Sequence, residues 1–156
     1  MSNSLEIFAL RHAEPLGDID ADLGIGNDQI PFVKQAAQTI GEQSAKGAQF
    51  SIYTSVAECA IETGNVLYWS KDIKASVCEP QMHDTLFDEY MNEYDENEQA
   101  KIWTDTLRTL GGRALMRNLD GLILVTHAPL LRTMPFFHTK PDTNYLAVNH
   151  FTYTVA

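Results

Sequence analysis

Two stretches decide the fold: Leu5-Glu6-Ile7-Phe8-Ala9-Leu10-Arg11-His12-Ala13-Glu14 and Gly121-Leu122-Ile123-Leu124-Val125-Thr126-His127-Ala128-Pro129-Leu130. Each is a short, β-rich apolar run that breaks off into a histidine. Runs apolar at consecutive positions suit strands buried on both faces, which is the pattern of a parallel sheet covered by helices. Between them lie a further strand at Phe50–Thr54 and a third at Lys74–Cys78, the latter ended by Pro80. Helices are expected over 31–46, from Val56 to Trp69, and from Glu96 to Asn118 with a possible break at Gly111-Gly112. A short helix at 129–137 carries Pro129 in its first turn, and Tyr145–Val155 closes the chain as one or two strands. Strands alternating with helices imply a three-layer α/β/α sandwich with a mainly parallel central sheet.

The chain has 156 residues and 44% hydrophobic composition, enough for one domain over 1–156 with its own core. No linker-like stretch or internal repeat divides it. Eleven basic against twenty-one acidic residues leave a net charge of −10. Such a chain repels the phosphate backbone, so neither nucleic acid nor an anionic membrane is an expected partner. The two cysteines, Cys59 and Cys78, form no metal-ligand spacing and no disulfide framework. With no secretory leader or membrane span in view, the expectation is a reduced, cytoplasmic protein with no metal and no cofactor. Trp69 and Trp103, both on helices, are expected in the core, and His83, His138 and His150 in structural or surface roles.

In parallel α/β sheets, ligands bind beyond the carboxyl ends of the strands. That rule marks the positions after Leu10, Thr54 and Val125, and two of the three carry a histidine. A neutral imidazole attacks phosphorus without prior deprotonation, while a neighbouring guanidinium suits the phosphoryl oxygens. His12, with Arg11 beside it, and His127 are therefore the candidate centre of a phosphoryl-transfer site.

Arg11-His12-Ala13-Glu14 after a strand resembles the Arg-His-Gly-Glu signature of the histidine phosphatase superfamily, the phosphoglycerate-mutase-like proteins. Val125-Thr126-His127 is similar to that family's second signature, and His127-Ala128-Pro129-Leu130 looks like the His-x-Pro-Leu of its small phosphohistidine phosphatases. Tyr53-Thr54-Ser55, followed by Ala60, Glu62 and Thr63, partly resembles the Ser-Pro-x-x-Arg-Ala-x-x-Thr segment between them. The resemblance implies a phosphoglycerate-mutase-like fold and a metal-independent phosphatase. His12 would accept the phosphoryl group, and Arg11, Ser55, Thr126 and His127 would bind it. Leu86-Phe87-Asp88 fits the family's general-acid frame, so Asp88 or the adjacent Glu89 would protonate the leaving group. The implied substrate is a phosphorylated small molecule or a phosphoprotein, with protein phosphohistidine slightly ahead of a phosphomonoester; a mutase ranks lower on chain length. Oligomeric state is left open.

Two positions depart from the family pattern. Its second phosphate-binding arginine falls at Cys59, which carries no fixed charge, and the sequence does not choose between Arg108, Arg113 and Arg132 as a replacement. A phosphate-contacting asparagine falls at Asp18. A different class of function follows from these departures: a catalytically weak or inactive relative serving as a phosphate-ligand or protein-binding regulatory module.

Overall fold

The computed structural model describes residues 3–75 and 79–155, so the expected strand residues 76–78, with Cys78, lie outside the described residues. The chain runs β1 (Ser4–Arg11), α1 (Ile30–Gln43), β2 (Gln49–Thr54), α2 (Glu58–Tyr68), β3 (Lys74–Ala75), β4 (Gln81–Met82), α3 (Asp88–Met91), α4 (Glu96–Met116), β5 (Gly121–Thr126), α5 (Ala128–Thr133) and β6 (Val148–Thr154). The strands are ordered β3-β2-β5-β1-β6, with β4 also pairing β2. Pairing is parallel throughout except for β6, which runs antiparallel to β1.

Side-chain alternation along the strands builds two cores. Leu5, Ile7 and Ala9 of β1 and Leu122 and Leu124 of β5 face Trp103, Leu107 and Leu110 of α4 and Leu130 and Leu131 of α5. Phe8 and Leu10, with Ile123 and Val125, face Val33, Ala37 and Ile40 of α1 and Ala60 and Leu67 of α2. Both faces of the central strands are thus apolar, which explains why they read as continuous hydrophobic runs rather than as alternating ones.

Most expected elements form: the first two strands start earlier than expected, while the helices and the closing strand are shorter. The closing segment is one strand, β6, rather than two. The long helix passes through Gly111 and Gly112 without a break. Gly111 is there for contact: a Cβ on it would press on Leu5 and Val155. At the start of that helix Asp95 and Glu98 form a reciprocal capping box, so part of the acidic run serves local structure. Trp103 is fully buried, but Trp69 is 81% exposed, which corrects its expected place in the core. Trp69 falls one residue past the end of α2, where the helical stripe facing the sheet has already run out.

Gly121 sets how closely β5 packs between its neighbours. It pairs with Glu6 on one side and Phe50 on the other, and a Cβ there would run into the Glu6 carbonyl oxygen. Because the obstacle is backbone in the central pair, Gly121→Ala is expected to destabilise the domain by about 3 kcal/mol. Urea unfolding checks this: the midpoint should fall with an unchanged slope.

Candidate active site

The β1–β5 ladder runs on past Arg11, which pairs with Thr126, and the His12 amide donates to the Thr126 carbonyl (3.1 Å). The two strands therefore end at the same level, and the residues that follow, His12 and His127, emerge side by side. Their ring centroids are 4.9 Å apart and the planes meet at 67°. Both side chains are almost wholly buried, His12 at 1% and His127 at 3% exposure.

Each ring is held by local groups. His12 Nδ1 lies 2.7 Å from the Ala13 carbonyl oxygen, which can only accept. Nδ1 therefore carries the hydrogen, and Nε2 keeps its lone pair. The loop after His12 is tied down by Thr63 of α2, whose hydroxyl accepts from the Ala13 amide (3.0 Å) and donates to the Cys59 carbonyl (2.6 Å). His127 Nε2 lies 2.8 Å from Ser55 Oγ, and that oxygen also accepts from the Ala57 amide (3.2 Å). Ser55 thereby fixes the Nε2 side of the His127 ring. Ser55 itself is fixed at the end of β2, its amide donating to the Val125 carbonyl (3.0 Å).

Burial holds both imidazoles in the neutral form. It pushes the His12 pKa down to about 4, opposed by the hydrogen bond to Ala13 and the charge of Asp88, and assisted by His127 and Arg11. Burial likewise lowers His127, with Asp88 opposing and Arg11 assisting. A neutral His12 with a free Nε2 lone pair is the form that attacks an electrophile.

Thr126 acts from the side. Its hydroxyl donates to the Leu86 carbonyl (2.6 Å), anchoring the segment that leads into Asp88 and Glu89 beside His127. Phe87, in the same segment, places its ring 5.6 Å from that of His127. A cavity of about 590 Å³ opens here, lined by Asp20, Asp22, Val56, Ala57, Phe87, Asp88, Glu89 and His127. Five of the sequence candidates (His12, His127, Arg11, Asp88 and Ser55) are thus in mutual contact or electrostatic reach, with Glu89 on the cavity wall and Thr126 behind it.

Cys59 is buried at 2% exposure on α2. Burial, with the charge of Asp22, pushes its thiol up to about 11, so it is neither a cation nor a thiolate nucleophile. Asp18 turns away to a local role, its carboxylate accepting from the Asp20 amide (3.0 Å). Among the three arginines left open, Arg108 pairs with Asp105 on its own helix, whereas Arg132 donates to Thr143 Oγ1 (3.4 Å), the residue whose carbonyl accepts from Arg11 (3.4 Å). Sequence reading missed Asp20, Asp22, Thr143 and Tyr145, and named Phe87 only as the middle residue of the Leu86-Phe87-Asp88 frame. The first four belong to no strand-end motif, and each reaches the site through a loop whose path no local pattern encodes. Among the described residues no group of His, Cys, Asp and Glu is arranged to hold a metal ion, and no helix is long and apolar enough to cross a membrane.

No family model and no curated protein matches the chain. Its fold does match solved structures. Phosphoglycerate mutase from Bacillus anthracis str. Sterne aligns over 98% of this chain and 89% of its own, with TM-score 0.70 and 13% identity. The protein histidine phosphatase SixA complexed with tungstate aligns over 96% of this chain and 97% of its own, with TM-score 0.61 and 12% identity. YhfR of Bacillus stearothermophilus aligns over 94% and 90%, with TM-score 0.50 and 16% identity. The α/β architecture is therefore one shared with these solved structures, the phosphoglycerate-mutase-like fold that the motifs imply.

The buried imidazoles give a pH signature with a definite sign. Between pH 6.5 and about 4 the unfolded chain binds a proton at His12 that the folded chain refuses. Stability is therefore fully present above the ordinary histidine pKa and falls as pH drops through this window, by about 3 kcal/mol for His12 alone. Urea unfolding at pH 7 and pH 4.5 should show the loss, and His12→Ala should reduce it.

Proposed function

We propose that the chain is a metal-independent phosphatase that works through a phosphohistidine on His12. The observation that carries this reading is the pair of buried, neutral imidazoles facing each other, with a guanidinium in electrostatic reach of both and a cavity that reaches His127. The Nε2 lone pair of His12 attacks phosphorus, and the bond from phosphorus to the leaving atom breaks. Arg11 and His127 stabilise charge on the equatorial oxygens. Water then attacks phosphorus, the bond to Nε2 breaks, and inorganic phosphate departs. Where the leaving atom is an alkoxide oxygen it needs a proton, which Asp88 or Glu89 would supply from the cavity wall.

The cavity argues for what the phosphoryl group arrives on. Asp20, Asp22, Asp88 and Glu89 line it, and no lysine or arginine does among the described residues. Such a wall repels an anionic substrate body and attracts a cationic one. A phosphoryl group on an imidazole also leaves more easily than one on an alcohol, because the imidazole conjugate acid has a pKa near 6.5. Both points favour a phosphohistidine in a basic protein segment over a phosphomonoester with an acidic body. That the fold is shared with SixA, named a protein histidine phosphatase, supports the same order.

Cys59 supports a second reading, a binding or regulatory module. A guanidinium missing from a phosphate pocket weakens the site in the way truncating a charge pair does, by about 2–5 kcal/mol. In that case the protein holds a phosphorylated partner without turning it over.

Incubation with a ³²P-labelled phosphodonor separates the two. The phosphatase reading expects acid-labile, alkali-stable label on the protein, absent from His12→Ala. No label on the wild type, with label appearing in Cys59→Arg, would favour the module. The cavity argument has its own test: phosphohistidine peptides flanked by lysine should be cleaved at least tenfold faster than those flanked by glutamate. Asp20→Asn with Asp22→Asn should shrink that ratio, and a ratio near one in the wild type would remove charge as the selector.

A further inference from the structure

Arg11 is the guanidinium electrostatically coupled to both imidazoles, and with Cys59 in the second arginine position it carries the phosphoryl-binding charge without that help. Yet conventional contacts hold it poorly. No carboxylate forms an ion pair with it among the described residues, its Nε is buried without a hydrogen-bond partner, and Nη1 reaches the Thr143 carbonyl at a long 3.4 Å. What does hold it is an aromatic ring. The central guanidinium carbon sits 3.7 Å from the centroid of Tyr145, well inside the range of a cation–π contact. The same ring lies 5.9 Å from that of His12. Tyr145 therefore touches the cation and flanks the nucleophile together.

The backbone makes this placement rigid. Tyr145 bridges to Arg11 beyond the ladder of β1, and the Leu146 amide donates to the Arg11 carbonyl (3.1 Å). The preceding turn is pinned by Asn149, which accepts from the Asp142 amide and donates to the Asp142 carbonyl, both at 2.8 Å. Tyr145 nevertheless remains 40% exposed, more than a ring placed only to fill the core would be.

We propose that Tyr145 is a positioning residue of the active site, its ring fixing the Arg11 guanidinium beside the His12–His127 pair by a cation–π contact. The proposal rests on the reading of the site as a phosphoryl-transfer centre. A ring satisfies the positive charge without using the N–H groups, so the donors other than the buried Nε and the Nη1 hydrogen on Thr143 stay available to phosphoryl oxygens; a carboxylate in the same place would occupy them and neutralise the charge. The contact needs an aromatic face and not a hydroxyl, so phenylalanine should serve and leucine should not.

The test compares wild type, Tyr145→Phe and Tyr145→Leu in vanadate binding and in NMR titration of the histidine rings. The charged groups acting on His127 are Asp88 and Arg11, and only the position of Arg11 should change between the variants. In Tyr145→Leu, vanadate affinity should fall about tenfold (about 1.4 kcal/mol). The His127 titration midpoint should rise, because a cation that disfavours its protonated form has moved away. Tyr145→Phe should keep both properties, and the melting temperatures of all three should agree within a few degrees. If wild type binds vanadate but the leucine variant matches it with an unmoved midpoint, the positioning role is overturned and the phosphoryl site stands. If wild type binds no vanadate, the phosphoryl-site reading itself falls, and this role with it.

Discussion

The parallel pairing of β1 with β5 is the constraint on which the site depends. Register there is fixed to the residue: Arg11 lies opposite Thr126, and the His12 amide closes one more hydrogen bond to Thr126. A slip by one residue would turn every side chain of the strand to the opposite face, sending Ile7 and Phe8 into the wrong cores and separating the imidazoles. The two packed faces therefore enforce the register, and the register brings the histidines together. Chemistry at the sheet edge rests on apolar packing in its middle.

That dependence explains what was legible in the sequence. Strand-end histidines are legible because the elements delivering them are short apolar runs that emerge on one edge. Ser55 and Thr63 entered only through the partial resemblance of one segment to a family motif, and their positions carry over to space because β2 and α2 are regular. Tyr145 and Asp22 were not legible. Each reaches the site from a loop, and loop paths are set by tertiary bonds such as Asn149 to Asp142 or the Glu58 amide to the Asp22 carboxylate (2.7 Å). The helix through Gly111 and Gly112 was misread in a similar way. Glycine lowers intrinsic helix propensity, but packing of that face on Leu5 and Val155 outweighs the loss.

Asp22 also shows how the loop after His12 shapes the pocket's charge. Its carboxylate accepts from the first amide of α2, a place where free N–H groups favour an anion. One carboxylate of the cavity wall is thus held by helix capping, and Asp88 and Glu89 open the short α3 at the opposite wall. Two of the four lining carboxylates have local structural partners, Asp22 on the Glu58 amide and Asp88 on the Glu89 amide. The lining is not merely the overflow of an acidic composition.

The same geometry resolves a conflict between the charge of the whole chain and the chemistry of its site. A net charge of −10 and an acidic wall oppose any approaching phosphate. Behind that wall, however, His127 meets the buried His12, and the Arg11 guanidinium lies in electrostatic reach of both. Burial keeps the imidazoles neutral, which costs stability at low pH but preserves the lone pair needed for attack. Arg11 then supplies the fixed positive charge next to them, undiminished because its nearest partners are a ring face and a carbonyl rather than a carboxylate. On the phosphatase reading we propose, a phosphoryl group borne on a cationic body would meet attraction at both ends, its oxygens at Arg11 and its carrier at the wall, whereas one borne on an anionic body would meet attraction only at the first.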